Sequence, residues 1–326
     1  MGGLVDVTET LGSTGEFGLI EAVTKPLAAS ADVLVGPGDD AAVVAVPDGR
    51  MVITTDLLVE GRHFRQDWSS AYDVGRKAAA QNLADVAAMG ARPTSLVIGF
   101  GGPAELAVSW VQELYQGLAD ECELVGAAIV GGDTVQSEKI VIAVTAFGSL
   151  EGRSAVLRSG ARPGDEVAVA GRLGWAEAGY TVLTRGFRSP RTVVDAHRRP
   201  QPPYAEGPRA AIAGASSMCD VSDGLLSDLG HLAVASQVVI DVHTSALVVP
   251  EPLQAVAAAT GVDAMSFVLT GGEDHALVGT FEPADVPEGW TVIGSVAEGN
   301  EDRPAGTVTV DGAPYAAATG HAHFRS

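Results

Sequence analysis

The stretch Ala42-Val43-Val44-Ala45-Val46-Pro47-Asp48-Gly49-Arg50-Met51-Val52-Ile53-Thr54-Thr55-Asp56 holds two short apolar runs on either side of a turn. Runs rich in β-branched residues read as strands. Pro-Asp-Gly is turn chemistry, because Pro fixes φ, Asp closes a local hydrogen bond and Gly tolerates positive φ. The pattern predicts strands at Ala42–Val46 and Met51–Thr55 joined as a hairpin, the second ending at Asp56. The period then changes. Ser70 and Asp73 have capping-box spacing, Val74, Ala78, Leu83, Val86 and Met89 form an apolar stripe, and Gly90 with Pro93 ends the helix. A strand at Leu96–Phe100, a long helix at Glu105–Val125 and strands at Ala127–Val130 and Ile140–Gly148 follow. A hairpin beside strand–helix alternation excludes a purely parallel sheet, so the fold class is α/β with mixed sheets.

Upstream, Leu19–Ala29 reads as a short amphipathic helix, and Gly36-Pro37-Gly38-Asp39-Asp40 is a loop by composition. A second pattern begins near Glu151, with strands at Val167–Ala170, Ser217–Val221, Val238–His243, Ala276–Phe281 and Thr291–Val296. Helices are expected from about Trp175, over Ala205–Ala213 and from Asp223-Gly224 to Ala235, with a loop at His197–Pro203 and a last hairpin around Val308–Gly312. At about 150 residues per domain the chain divides into two, residues 1–150 and 151–326.

A formal net charge of −21 makes nucleic acid and anionic membranes poor partners. No uncharged apolar run reaches the roughly 18 residues that a membrane-spanning helix needs, and the N-terminus has acidic residues rather than a basic start. Cys122 and Cys219 give neither a disulfide framework nor a Cys-x-x-Cys metal site, which fits a reducing cytoplasm. Lysine is confined to Lys25, Lys77 and Lys139, and neither a phosphate-loop motif nor a dinucleotide fingerprint occurs. A bound polyphosphate would have to be neutralised by metal ions and a few arginines.

Aspartates fall at strand ends or in glycine turns: Asp39 and Asp40, Asp56, Asp133, Asp220 and Asp223, with Asp85 inside a helix. Gathered carboxylates repel unless a cation lies among them, and Mg²⁺ is the natural one because it takes hard oxygen ligands shared with phosphate and water. Read alone, each is more often a turn former or a helix cap.

The ordered set of motifs is more specific. Gly38-Asp39-Asp40-Ala41-Ala42-Val43, Thr54-Thr55-Asp56, Glu60-Gly61-Arg62-His63-Phe64, Asn82-Leu83-Ala84-Asp85, Gly131-Gly132-Asp133-Thr134, Asp220-Val221-Ser222-Asp223-Gly224 and Gly271-Gly272-Glu273-Asp274 follow one another. With Gly15-Glu16-Phe17-Gly18 before and Gly320-His321-Ala322-His323-Phe324 after, the series resembles the thiamine-monophosphate kinase family over nearly the whole chain. That resemblance implies an ATP-dependent kinase of thiamine monophosphate, with an N-terminal ATP- and Mg-binding domain that joins a partner's in a homodimer. It also implies a C-terminal α/β domain that completes the active site. It matches Asp40, Thr54, Thr55, Asp56, Asp85, Asp133, Asp220 and Asp223 to positions that bind several Mg²⁺ ions. Tyr115, Gly132, Asp133, Arg158 and Ser222 match ATP-contacting positions, and His63, Glu273 and His321 substrate-contacting ones. No residue is implied as a covalent catalyst, since phosphoryl transfer needs positioning and charge neutralisation above all.

Two positions depart from the family pattern: His275 stands where tyrosine is usual, and His321 where an aromatic is frequent. Two alternatives stay open on sequence. One is another enzyme of the wider superfamily: aminoimidazole-ribonucleotide synthetase, selenophosphate synthetase or the hydrogenase-maturation dehydratase. The other is a non-catalytic nucleotide- or metal-binding regulator on the same fold.

Overall fold

The structure is a computed structural model that describes residues 10–27, 30–35 and 42–315. Asp39, Asp40 and His321 lie outside the described residues. The chain divides into two units, Met1–Val86 with Pro93–Glu151, and Ala87–Arg92 with Gly152–Ser326.

In chain order the first part runs α1 (Leu11–Thr24), β1 (Val33–Val35), β2 (Val43–Val44), β3 (Val52–Val59), α2 (Ala71–Ala88), β4 (Arg92–Gly102), α3 (Val108–Glu123), β5 (Ala128–Gln136) and β6 (Val141–Ser149). Four strands form one sheet in the order β3-β6-β4-β5. β3 lies antiparallel to β6, and β4 parallel to β5 with α3 as the crossover that a parallel pair requires. The hairpin expected across Pro47-Asp48-Gly49 is not formed. Val43–Val44 pairs instead with Val33–Val35 in a separate two-stranded sheet, while β3 takes β6 as its partner. The apolar pattern marked the strands, but long-range pairing decided their neighbours. β3 also runs on past Asp56 to Val59, and β5 continues through Gly131-Gly132-Asp133-Thr134, so both aspartates sit inside strands rather than beyond them.

The Ser70–Asp73 capping box is present: the Asp73 amide donates to Ser70 Oγ and the Ser70 amide to Asp73 Oδ2, each at 3.2 Å. Burial alternates along the sheet. Ile142, Val144 and Ala146 of β6 and Leu96, Ile98 and Phe100 of β4 are buried on one face. The register places Ile53 and Leu57 of β3 on the other face, and both are more than half exposed, at 57% and 52%. Helices α2 and α3 meet backbone to backbone. A Cβ on Gly75 would lie 2.1 Å from the Leu114 carbonyl oxygen, and one on Gly117 2.2 Å from that of Tyr72. Beside this contact the Arg76 guanidinium donates to the buried Glu121 carboxylate.

The second part runs β7 (Glu166–Ala170), α4 (Trp175–Thr184), α5 (Arg191–Arg198), α6 (Glu206–Ala213), β8 (Ser217–Val221), α7 (Leu225–Ser236), β9 (Val239–Val242), α8 (Glu251–Thr260), α9 (Ala264–Thr270), β10 (Ala276–Phe281), β11 (Thr291–Ala297), β12 (Thr307–Val310) and β13 (Ala313–Pro314). Its strands form a seven-stranded sheet in the order β13-β12-β9-β11-β7-β10-β8, with β12 and β9 parallel and the other neighbouring pairs antiparallel. β8 and β10 are buried along their whole length, as expected of strands covered on both faces. Among the described residues no single helix is long and apolar enough to cross a membrane. Cys122 and Cys219 are both buried and free, one in each unit. Burial pushes the Cys122 thiol up to about 12 and the Cys219 thiol well above its usual value.

Gly75→Ala should lower stability, because the clash of about 1–3 kcal/mol outweighs the helix-propensity gain of up to about 1 kcal/mol. Gly230→Ala, where nothing lies within 4 Å of the added carbon, should instead raise stability. Denaturant midpoints of the two variants check the opposite signs.

Candidate functional site: two carboxylate clusters

In the first unit, strand alternation sorts the Thr54-Thr55-Asp56 motif. Thr54 and Asp56 share the face that meets α2. Thr54 Oγ1 donates to Asp85 Oδ2 at 2.7 Å, and the Asp56 amide donates to Asn82 Oδ1 at 3.0 Å. Asn82 is fully buried and its Nδ2 donates to the Ala78 carbonyl, so its amide cannot turn away. Asn82 and Asp85 stand one helical turn apart, which is why one helix face holds both ends of this arrangement. Asn82 opens the motif that carries Asp85, but an asparagine inside an apolar stripe gives no chemical signal of its own role. Thr55 points to the other face, where its hydroxyl donates to the Val144 carbonyl and accepts from Thr145. The structure therefore gathers Thr54, Asp56 and Asp85 but not the Thr55 side chain.

Asp133 is on β5, opposite Gly99, and its Oδ1 accepts from the Thr134 amide at 2.8 Å. β3 and β5 are the two edges of the sheet, so Asp56 and Asp133 are separated by three strand spacings, about 14 Å along the sheet. Within one chain the structure does not set them side by side. Gly132 has a steric reason to be glycine, because a Cβ there would lie 2.0 Å from the Ile98 carbonyl oxygen. His63 Nδ1 accepts from the Val59 amide at 2.9 Å, which puts the proton of the neutral ring on Nε2. Tyr115 is buried on α3, and burial pushes its phenol up to about 12.

In the second unit, Asp220 is the next-to-last residue of β8, beside the Gly-Gly-Glu-Asp turn. The Glu273 amide donates to the Ser222 carbonyl at 2.8 Å and the His275 amide to that of Val221 at 3.0 Å. Glu273 and His275 both have left-handed backbones, with φ of 66° and 52°. The imidazole of His275 is buried and its Nδ1 lies 3.0 Å from Asp220 Oδ2. The family departure at this position thus meets a predicted metal ligand. Glu273 Oε2 lies 3.4 Å from His197 Nδ1. Arg158 is exposed, and its loop is fastened by Ser236, whose Oγ donates to the Arg158 carbonyl and accepts the Gly160 and Ala161 amides.

Asp223 and Gly224 donate their amides to Asp228 Oδ2, each at 3.1 Å. Asp223, Asp228 and His231 form a group whose ligand atoms all lie within 4.8 Å of one another. Burial first, and then Asp220, push the Asp228 carboxyl up to about 7. Burial likewise raises Asp274 to about 7, although its Oδ1 accepts the Ala176 amide at the start of α4. Burial and Glu273 raise Glu177 to about 7. Asp228, His231 and Glu177 were missed in the sequence because they sit outside the glycine turns that draw attention to their neighbours. Both clusters offer hard oxygen donors with excess negative charge, the chemistry that Mg²⁺ fits.

A family model described as AIR synthase related protein, N-terminal domain, matches residues 38–150. The thiamine-monophosphate kinase of Mycobacterium tuberculosis H37Rv is 48% identical over 324 residues, covering 99% of this chain and 95% of that protein. The chain belongs to the thiamine-monophosphate kinase family. The family's Corynebacterium glutamicum member is 40% identical over 310 residues, covering 93% of this chain and 91% of its own length. A solved structure of the family, AaThiL complexed with AMPPCP and TMP, matches with a TM-score of 0.78 at 33% identity, over 97% of this chain and 99% of that one. Of the branches that the motifs left open, the kinase family is the one to which the chain is assigned.

Asn82→Ala leaves the Asp56 amide without its acceptor and should cost about 1–3 kcal/mol. Chemical denaturation of the variant against wild type measures it, and an unchanged midpoint would show that Asn82 does not hold β3.

Proposed function

We propose that this chain transfers the terminal phosphoryl group of ATP directly to thiamine monophosphate, giving thiamine diphosphate. Family membership over the whole chain carries the reading, and the two carboxylate clusters support it physically. Thr54, Asp56 and Asp85 in the first unit and Asp220 and Asp223 in the second would each hold Mg²⁺, with Asp40, Asp133 and the Thr55 backbone completing the ligand set. When bound, the metal supplies charge neutralisation of the polyphosphate and in-line placement of the acceptor. Asn82 holds the Asp56 backbone in place, and the Asp228 carboxylate holds that of Asp223, so neither strand end nor turn has to reorganise during transfer. His63, with its Nε2 proton, donates to an oxygen of the substrate, and Glu273 and His321 contact it as well. Tyr115, Gly132, Arg158 and Ser222 bind the nucleotide. The acceptor is an ionised phosphate oxygen, so the reaction needs neither a strong general base nor a phosphoenzyme. The setting is the reducing cytoplasm, consistent with two buried free thiols.

The same reading makes the protein a homodimer. Among the described residues the sheet of the first unit has two unpaired edges, and Ile53, Leu57 and Val135 expose apolar side chains there. A second copy set edge to edge in twofold symmetry would cover them. It would also bring the partner's Asp133 within one strand spacing of Asp56.

Purified protein should release ADP from ATP only when thiamine monophosphate is present, and excess EDTA should abolish the release. Asp56→Asn and Asp223→Asn should each lower turnover roughly 100-fold or more. ATP binding without acceptor-dependent ADP would favour the regulator reading. Label retained on the denatured protein from γ-labelled ATP, and then chased into product, would overturn direct transfer.

Light scattering should give about twice the chain mass of 33.2 kDa. Leu57→Lys, which sets a charge on the exposed sheet face, should shift the species toward the monomer.

A further inference from the structure

The Gly-Gly-Glu-Asp turn of the second unit rests on the first turn of α4. A Cβ on Gly271 would lie 2.7 Å from Glu177 Cβ and 2.4 Å from the Phe267 carbonyl oxygen, so the backbone of the turn lies directly against the Glu177 side chain. Further along the same helix, α4 touches α5. A Cβ on Gly179 would lie 2.1 Å from the Val193 carbonyl oxygen and 2.8 Å from His197 Cβ. The two approaches bring the last turn of α5 to the same place. His197 is buried there, and its Nδ1 lies 3.4 Å from Glu273 Oε2. Glu273 has a left-handed backbone, with φ of 66°, and its side chain stays 40% exposed. A residue other than glycine is strained in that region, and such strain is kept where it aims a side chain at a ligand.

Two carboxyl groups thus stand together, Glu177 half-buried and Glu273 partly open to solvent. Burial, and then the charge of Glu273, hold Glu177 at about 7. The other charged groups on the elements packed around the pair have partners of their own. Asp274 accepts the Ala176 amide at 3.0 Å and is met by the charge of Arg172, whose guanidinium sits 5.2 Å from the centroid of the Trp175 ring. On α5, Arg198 lies 3.7 Å from Asp195. α8 carries one charge, Glu251 at its first residue, and α9 carries none. His197 is the basic side chain that α5 sets against the pair. A desolvated carboxyl pair gains most from a positive charge brought in from outside. Thiamine supplies one in its thiazolium ring, whose quaternary nitrogen stays positive at every pH.

We propose that Glu177 is a further positioning residue for the substrate: acting through Glu273, it completes an anionic seat for the thiazolium ring of thiamine monophosphate. The assignment rests on the reading of Glu273 as a substrate contact and adds which part of the substrate the turn meets. In the free protein near neutral pH the Glu177 carboxyl still holds a proton in about half of the molecules. The charge of the ring favours the ionised form of both carboxyls, so binding sends that proton into the buffer. Affinity and pH are then linked. Below the raised value of free Glu177, binding must first strip the proton and affinity is lost. Above it the pair is already doubly charged and affinity levels off. His197 holds the Glu273 carboxylate from the α5 side.

The experiment is calorimetric titration with thiamine monophosphate in buffers of different ionisation enthalpy, which counts the protons released. The neutral isostere 3-deazathiamine monophosphate, with carbon in place of the ring nitrogen, is titrated in parallel and controls for protons that leave the phosphate group. Wild type should release more protons with thiamine monophosphate than with the isostere near pH 7, and should bind it roughly threefold to tenfold more tightly at about pH 8 than at about pH 6. Glu177→Gln, which keeps the shape of the protonated acid, should remove the extra release. It should also raise the KM for thiamine monophosphate at about pH 8 by roughly the same factor, with the KM for ATP unchanged. Glu177→Asp, which keeps a titrating carboxyl, should restore part of the release, and that recovery separates the role from a loss of packing. Equal proton release with the two ligands, or an excess that survives in Glu177→Gln at an unchanged melting temperature, overturns the proposal. Acceptor-dependent ADP release without the excess would overturn the cation seat alone. Glu177-dependent proton release without ADP release would sink the kinase reading and leave the seat standing.

Discussion

The contact on which the first unit depends is the approach of α2 to α3. Gly75 lies against the Leu114 carbonyl and Gly117 against that of Tyr72, a reciprocal pairing in which neither helix has room for a side-chain carbon. Backbones this close fix the helices relative to each other with little freedom to slide, because packed interiors have few soft modes. One helix carries Asn82 and Asp85 under β3, and the other carries Tyr115 and Gln116 beside α1. The Arg76–Glu121 pair flanks the glycine contact. Arg76 also donates to the Tyr72 hydroxyl, which in turn donates to Asp120, so side chains of both helices tie the same contact that holds Asn82 and Asp85 in place.

Much of this was legible in the sequence wherever the signal is local. The Ser70–Asp73 cap, the Gly90 stop and the strand at Ala276–Phe281 depend on residues within a few positions of one another, and they appear where the pattern sets them. The hairpin across Pro47-Asp48-Gly49 failed for the opposite reason. Turn chemistry permits a reversal but does not choose the strand that follows it, and β3 gains far more by running the length of β6 than by pairing with the two residues of β2. The same limit hid the true extent of β5, whose glycines read as a loop although the chain stays extended against β4. Helix α8 went unread because an alanine-rich segment has little contrast between faces, and α9 because seven residues are too few to show a helical period.

The functional residues divide along similar lines. Aspartates in glycine-rich motifs stand out, and the structure gathers Thr54 with Asp56 and Asp85, and Asp223 with Asp228. What composition cannot reveal is orientation. Strand alternation sends the Thr55 side chain to the far face, and sheet order sets Asp133 on the opposite edge from Asp56. The supporting groups are quieter still. Asn82, Asp228 and Ser236 act by holding backbone amides or carbonyls, roles that many polar residues could fill and that only coordinates assign. His275 shows that a departure from a family pattern can have a structural partner, since its ring meets Asp220.

The two cysteines give the molecule an unplanned reporter. Each unit holds one thiol, shut away from solvent and held protonated by its surroundings, so neither is reactive toward alkylating reagents while its unit stays closed. Any opening that admits water to α3 or to β8 also admits the reagent. The order in which the two sites become labelled therefore records which half of the chain opens first, without an added probe.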